Sequence, residues 1–456
     1  MKRISLIAAC VAAVLCPAAY AQTVTLRLIS HAYNNPNQAV SGGRPQISAD
    51  GHTVAFSTTA QGIVDPALHG FSGSEVFAYD VPCQQAEIIS TTWNGATADD
   101  ASGAGVDPHI GVSGDGRYIA FTSEARNLVF NEPPAPPIRY DSSNVFLVDR
   151  NKAVGDTGRV KRISRAPNGD YANGYSMQPS ISADGRYVAF MSYASNLVAN
   201  DPNGSQGDIF IYTIATGNIA LATYDATGGG ANFASDYPRI NADGSRVVFR
   251  SGANDLITDP VNYFSGPHTY VTNTLSGGNL LIDRNAAGDI ATSGSLWSAI
   301  SGNGNVVAFT SQAPNLWPSM APPTQVFVRN ITANTLQMVS LNSGNGPGPV
   351  QSDDPSLNYD GNYVAFQSAK HPWVSGDPWH GVYRRKLDDG SLLLLSPGLY
   401  GQPANNTSTM PSISGDAVRT AFLSTATNLI DGVTYSGNPV YLAHVGAPSV
   451  RRCTRF

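Results

Sequence analysis

Charge is scarce in this chain: only 13% of its 456 residues are Asp, Glu, Lys or Arg, too few for long solvated helices laced with ion pairs. The balance of 27 basic against 33 acidic residues leaves −6, which argues against nucleic acid or an anionic membrane as partner. The small basic tail Arg451, Arg452 and Arg455 reads as a solvated end. Cysteine is rare as well, with four in all. No Gly-x-Ser-x-Gly nucleophile elbow occurs, and the eight histidines never take the i, i+4 spacing of a helical zinc site. After Ala21 no apolar run approaches the roughly 20 residues of a membrane helix, so no membrane insertion is expected.

The first residues read as an export signal: Lys2 and Arg3, an apolar run from Ile4 to Leu15, then Ala19-Tyr20-Ala21. Cleavage before Gln22 would leave residues 22–456 as one exported domain, periplasmic or secreted, with 25 basic against 33 acidic residues and a charge of −8. Cys10 and Cys16 lie in that leader, so Cys83 and Cys453 form an even pair for an oxidising compartment.

What the chain has in abundance is turn chemistry: 45 glycines and 30 prolines, arranged around a repeat. Aligned on a tight-turn pair, seven copies appear: Asp50-Gly51, Asp115-Gly116, Asp184-Gly185, Asp243-Gly244, Asn303-Gly304, Asp360-Gly361 and the degenerate Asp416-Ala417. Six residues after each first member stands a phenylalanine, namely Phe56, Phe121, Phe190, Phe249, Phe309, Phe366 and Phe422. Asp-Gly between two alternating runs marks a hairpin, because the turn needs positive φ. A small residue before each phenylalanine makes both faces of the second strand apolar, as in a sheet packed on both sides.

A third strand follows in every copy (Val76-Phe77, Ile209-Phe210, Val440-Tyr441 and their equivalents), and a fourth in all but the seventh. The missing strand matches Leu26-Arg27-Leu28-Ile29-Ser30 at the other end of the chain. These features predict an all-β fold, a seven-bladed β-propeller of four-stranded blades closed by the N-terminal strand. A sandwich or β-helix would leave the split unit unexplained. Closure places Cys83 beside Cys453 and predicts a disulfide across the seam.

The pattern Pro-x-Ile-Ser-x-Asp-Gly-x-x-Val-Ala-Phe-x-Ser, fullest at Pro179 to Ser192 and headed elsewhere by Pro108, Pro238, Pro355 and Pro411, resembles the TolB-type propeller repeat of exported bacterial proteins. The family's namesake carries six blades and an additional α/β domain, so the resemblance implies a stand-alone relative. Prolyl oligopeptidase-like enzymes pair a similar propeller with a hydrolase domain, which this chain leaves no residues to build.

Ligand sites in propellers gather where loops crowd the channel mouth, here 93–107, 168–178, 225–237, 284–297 and 342–354. Their Asn, Asp, Tyr and Trp suit a carbohydrate or a peptide, and equally suit ligand-free turns. Candidate ligand contacts are Trp93, Asp107 and His109, together with Asp377, Trp379 and His380 from the mixed cluster that also holds His371 and Trp373. Trp373 aligns with Leu128, Leu197, Leu316 and Leu429, which marks it as filler. The loop Asp201-Pro-Asn203-Gly-Ser-Gln-Gly-Asp208 offers side-chain oxygens for a calcium ion, the one cofactor the sequence points to. The expectation is a monomeric, non-enzymatic scaffold that engages a protein or glycan partner. The competing expectation is a polysaccharide lyase or hydrolase with acids and histidines converging at the channel mouth.

Overall fold

The computed structural model describes residues 23–65, 73–103, 109–132, 143–199, 201–259, 266–318, 323–341, 350–369, 380–446 and 453. Its strands form seven four-stranded antiparallel sheets in a ring, plus one small hairpin of His31–Ala32 with Asn35–Ala39. Blade 3 is typical, running from the channel outward as Ser176–Ile181, Tyr187–Ser192, Asp208–Thr213 and Ile219–Leu221. In blade 7 the strands Ser408–Ile413, Arg419–Ser424 and Val440–Val445 are completed by Val24–Leu28, which pairs with the last of them from Val24↔Val445 to Leu28↔Tyr441. The ring is therefore closed by the N-terminal strand, which supplies the outermost strand of blade 7.

The repeated Asp-Gly pair turns the inner hairpin. In blade 3 the Asp184 carboxylate accepts from Ser182 Oγ at 2.7 Å and from Arg186 N at 3.0 Å, while Tyr187 N donates to Ser182 Oγ at 3.0 Å. Gly185 sits at φ 69°, a left-handed conformation that glycine enters without a Cβ penalty. The seventh copy keeps the turn with Ala417 at φ 59°.

Next to each turn, the residue preceding its Asp or Asn is small in six copies, because blades meet there backbone to backbone. Asp50 N donates to Gly114 O, Gly114 N to Ala183 O, Asp184 N to Ala242 O and Ala242 N to Gly302 O. Asn303 N then donates to Tyr359 O, Tyr359 N to Gly415 O and Gly415 N to Ala49 O, which closes a circle of hydrogen bonds around the channel. A Cβ added at Gly114 would lie 2.6 Å from Ala183 O, so this approach requires glycine.

The repeated phenylalanines hold each sheet together from within. Phe56 stands opposite Phe77 in register with ring centroids 6.0 Å apart, and the same pairing recurs as Phe190 with Phe210 and Phe422 with Tyr441. All of these rings are buried, and each such pair contributes about 0.5–1.5 kcal/mol beyond its area burial. Leu128, Leu197, Leu316 and Leu429 are buried beneath the loops between the second and third strands, as gap-fillers should be. At the seam Cys83 and Cys453 are disulfide-bonded across a sequence separation of 370.

Candidate functional site at the channel mouth

The innermost strands make the site. In five blades their ladder slips, between Met177 and Ser180, Asp236 and Arg239, Ser295 and Ser298, Asp353 and Ser356, and Thr409 and Ser412. Such a bulge re-aims the side chains next to it. Four of the bulges hold a non-glycine residue at positive φ directly before proline: Gln178 at 57°, Tyr237 at 53°, Asp354 at 55° and Met410 at 55°. Strained backbone of this kind persists only where surrounding structure over-determines it, and it concentrates at functional sites.

These residues belong to one column of the repeat, six positions before the turn: Arg44, His109, Gln178, Tyr237, Trp297, Asp354 and Met410. Two positions further in, the column reads Gln46, Gly111, Ser180, Arg239, Ala299, Ser356 and Ser412. All of the second column but Gly111, with Arg44, Trp297 and Asp354 of the first, line a cup of about 170 Å³. Six aliphatic residues, Ile47, Ile181, Ile240, Ile300, Leu357 and Ile413, line both this cup and the space on the turn side, forming an apolar floor.

The polar contacts of the cup run across the channel. Arg44 Nη2 lies 2.7 Å from Asp354 Oδ1, and its guanidinium carbon lies 5.2 Å from the Trp297 ring centroid. Arg239 Nη2 lies 2.7–2.8 Å from the ring nitrogens of the buried His109. An arginine only donates, so His109 is the acceptor here. Tyr237 packs edge-on to both His109 and Trp297, at 5.9 and 5.1 Å between centroids. Its outer face carries Arg250 at 4.6 Å, and Arg250 in turn pairs with Asp236 at 2.6–2.7 Å. Burial depresses the Arg250 guanidinium, but the Asp236 carboxylate outweighs it and holds the group above its ordinary value.

Ser180, Ser356 and Ser412 each accept a backbone N–H from the next blade, at 3.2, 3.1 and 3.1 Å, which leaves each hydroxyl proton available to donate. Arg44 and Asp354 cancel, and so do Arg250 and Asp236. Arg239, on a histidine acceptor, places a guanidinium donor at the mouth. The arrangement offers guanidinium and hydroxyl donors beside aromatic rings over an apolar floor.

Of the residues that the sequence singles out, His109 does not line the cup but meets it through Arg239. Asp107, Asp377 and Trp379, with His371 and Trp373, fall outside the described residues. His380 is half-buried, and its carbonyl accepts from Ser408 N at 2.8 Å, a blade-to-blade contact. Trp93 is not among the residues lining the cup; its ring packs edge-on against Phe130 at 4.8 Å. Asp201, Asn203 and Asp208 come together in blade 3, away from the mouth column. The expected loops 168–178, 225–237, 284–297 and 342–354 end on the mouth residues, but nothing local distinguishes their last positions. The signal lies in comparing the repeats: within an otherwise regular frame, this column holds seven different residues in seven copies.

No protein-family model matches the chain, and no curated protein matches it. Solved structures do. The propeller domain of the Trilobed protease from Pyrococcus furiosus is 11% identical with a TM-score of 0.50, over 86% of this chain and 92% of that one. An oligogalacturonate lyase from Vibrio parahaemolyticus is 13% identical with a TM-score of 0.49, over 93% and 97%. TolB from Acinetobacter baumannii is 16% identical with a TM-score of 0.41; the match covers 78% of this chain and 66% of TolB's length. At these identities the likeness shows the propeller fold, in keeping with the TolB-type repeat, and no activity.

Proposed function

We propose that this is an exported binding propeller that receives an acidic sugar unit at the end of a larger glycan. The observation that carries the reading is Arg239: a cationic donor inside the channel, held against His109 and flanked by Tyr237 and Trp297. Aromatic faces stack on sugar rings, and the Ser180, Ser356 and Ser412 hydroxyls can donate to ring and carboxylate oxygens. The cup is smaller than the roughly 300–1,000 Å³ of pockets that enclose drug-sized ligands, so it suits a single unit rather than a whole oligosaccharide.

A binding role is favoured over catalysis by the way the ionisable groups are occupied. Cooperating acid–base groups stand free to reach a substrate proton, whereas His109 and Asp354 are each engaged by an arginine. Calorimetry with uronate-containing and matched neutral oligosaccharides tests the proposal. Selective binding of the acidic series without turnover supports it. Breakdown of the acidic sugar would move the assignment to a lyase or hydrolase, and equal affinity for both series would remove the role given to Arg239.

A further inference from the structure

Asp208 opens the third strand of blade 3 and is fully buried. Blades 2 and 5 carry an amide at this position, satisfied by a serine of the outer strand: Ser164 Oγ donates to Asn144 Oδ1 at 3.1 Å, and Ser340 Oγ to Gln325 Oε1 at 2.6 Å. Blade 4 carries His268 there, 2.8 Å from Asp283. Blade 1 has Glu75 and blade 3 has Asp208, a carboxylate in the same slot. Thr223 Oγ1 donates to Asp208 Oδ1 at 2.6 Å and Asn203 Nδ2 reaches the same oxygen at 3.3 Å, but Oδ2 is buried with no partner.

The preceding loop brings two more oxygens in the same condition. Asp201 Oδ1 accepts from Asn203 N at 3.3 Å and Gly204 N at 3.1 Å, leaving Asp201 Oδ2 buried and unpartnered. Asn203 Nδ2 is tied to Ala231 O at 2.8 Å, and Asn203 Oδ1 is likewise buried without a donor. Among the described residues no lysine, arginine or histidine pairs with either carboxylate. Three buried acceptors without a donor fall within one eight-residue loop, and each such group costs free energy unless a cation or a proton compensates it.

We propose that Asp201, Asn203 and Asp208 bind a Ca²⁺ ion, which supplies the positive charge these three oxygens lack. The set contains only oxygens, as a hard cation prefers, and has no sulfur or imidazole for zinc. A loop carrying Gly204 and Gly207 can adjust to the six to eight oxygens calcium takes, the remainder coming from backbone carbonyls and water. The ion would tie this loop through Asn203 to Ala231, on the connection that leads to Tyr237 and Arg239. The inference does not rest on the glycan reading.

The test is calorimetric titration of the chelator-treated full chain with CaCl₂ and, separately, MgCl₂, paired with thermal melts of the wild type, Asp208→Asn and Asp201→Asn. The expected result is one equivalent of Ca²⁺, a Tm raised by several degrees by excess ion, and at least tenfold weaker binding in both variants. Asp201→Asn keeps the test valid if Asp208→Asn fails to fold. No heat and no Tm shift in the wild type, with Asp208→Asn as stable or more so, would show a merely protonated buried carboxyl and overturn the site. Undiminished binding in the variants, or an equal response to Mg²⁺, would also overturn it.

Discussion

Arg44 and Asp354 stand 310 residues apart in the chain and 2.7 Å apart in space, joining blade 1 to blade 6 across the channel mouth. Their side chains are only 13% and 9% exposed, so each screens the other's charge in a poorly solvated place. Asp354→Ala should remove the carboxylate from this guanidinium and lower stability by about 2–3 kcal/mol, somewhat less than for a fully buried pair. Urea denaturation checks this. The double variant Arg44→Leu/Asp354→Leu should recover part of the loss.

On the proposed function, Arg239 is the group that meets the acidic sugar. Arg239→Ala should leave the melting temperature nearly unchanged and weaken acidic-glycan binding roughly tenfold to a hundredfold, the worth of a charge-assisted hydrogen bond. Calorimetry on the variant reads both effects, and a neutral glycan provides the control.

Among the seven repeat turns, Ala417 holds at positive φ the position where the other six copies have glycine. Ala417→Gly should therefore stabilise the protein by about 1 kcal/mol, the left-handed penalty removed minus the entropy glycine adds to the unfolded chain. The reverse change, Gly244→Ala, places a Cβ 2.2 Å from the Tyr187 ring and should destabilise. Paired thermal melts separate the two directions.

The disulfide fastens the last described residue, Cys453, to the loop after the strand Glu75–Asp80. Cys83→Ser/Cys453→Ser should lower stability by about 2–4 kcal/mol and leave the ring folded, since the closing strand Val24–Leu28 pairs without it. Melts with and without reductant should reproduce the difference in the wild type only.

Glu75 is a buried carboxyl that desolvation raises from 4.5 to about 7. Between those values the folded chain holds a proton that the unfolded chain has released, so this group's contribution to stability falls as pH rises from about 4.5 and levels off above about 7. Glu75→Gln should flatten the stability profile across that window, as measured by denaturant midpoints at successive pH values.

The seven turns, the phenylalanine ladder and the split blade were legible in the sequence because they depend on local rules: positive φ at the turn, alternation along a strand, and a strand missing at one end that is present at the other. The acidic loop at Asp201 was legible for the same reason, its donors being neighbours in the chain. The mouth was not. Arg239 reads locally as an unremarkable residue after Pro238, and Asp354 as one of several loop acids. Only closure of the ring brings Arg44 to Asp354 and Arg239 to His109, because those partners come from blades that are not even adjacent. Backbone bulges then re-aim Arg239 and Asp354. Local chemistry thus determined the blade, while the charge and shape of the cup were decided by the circle the blades complete.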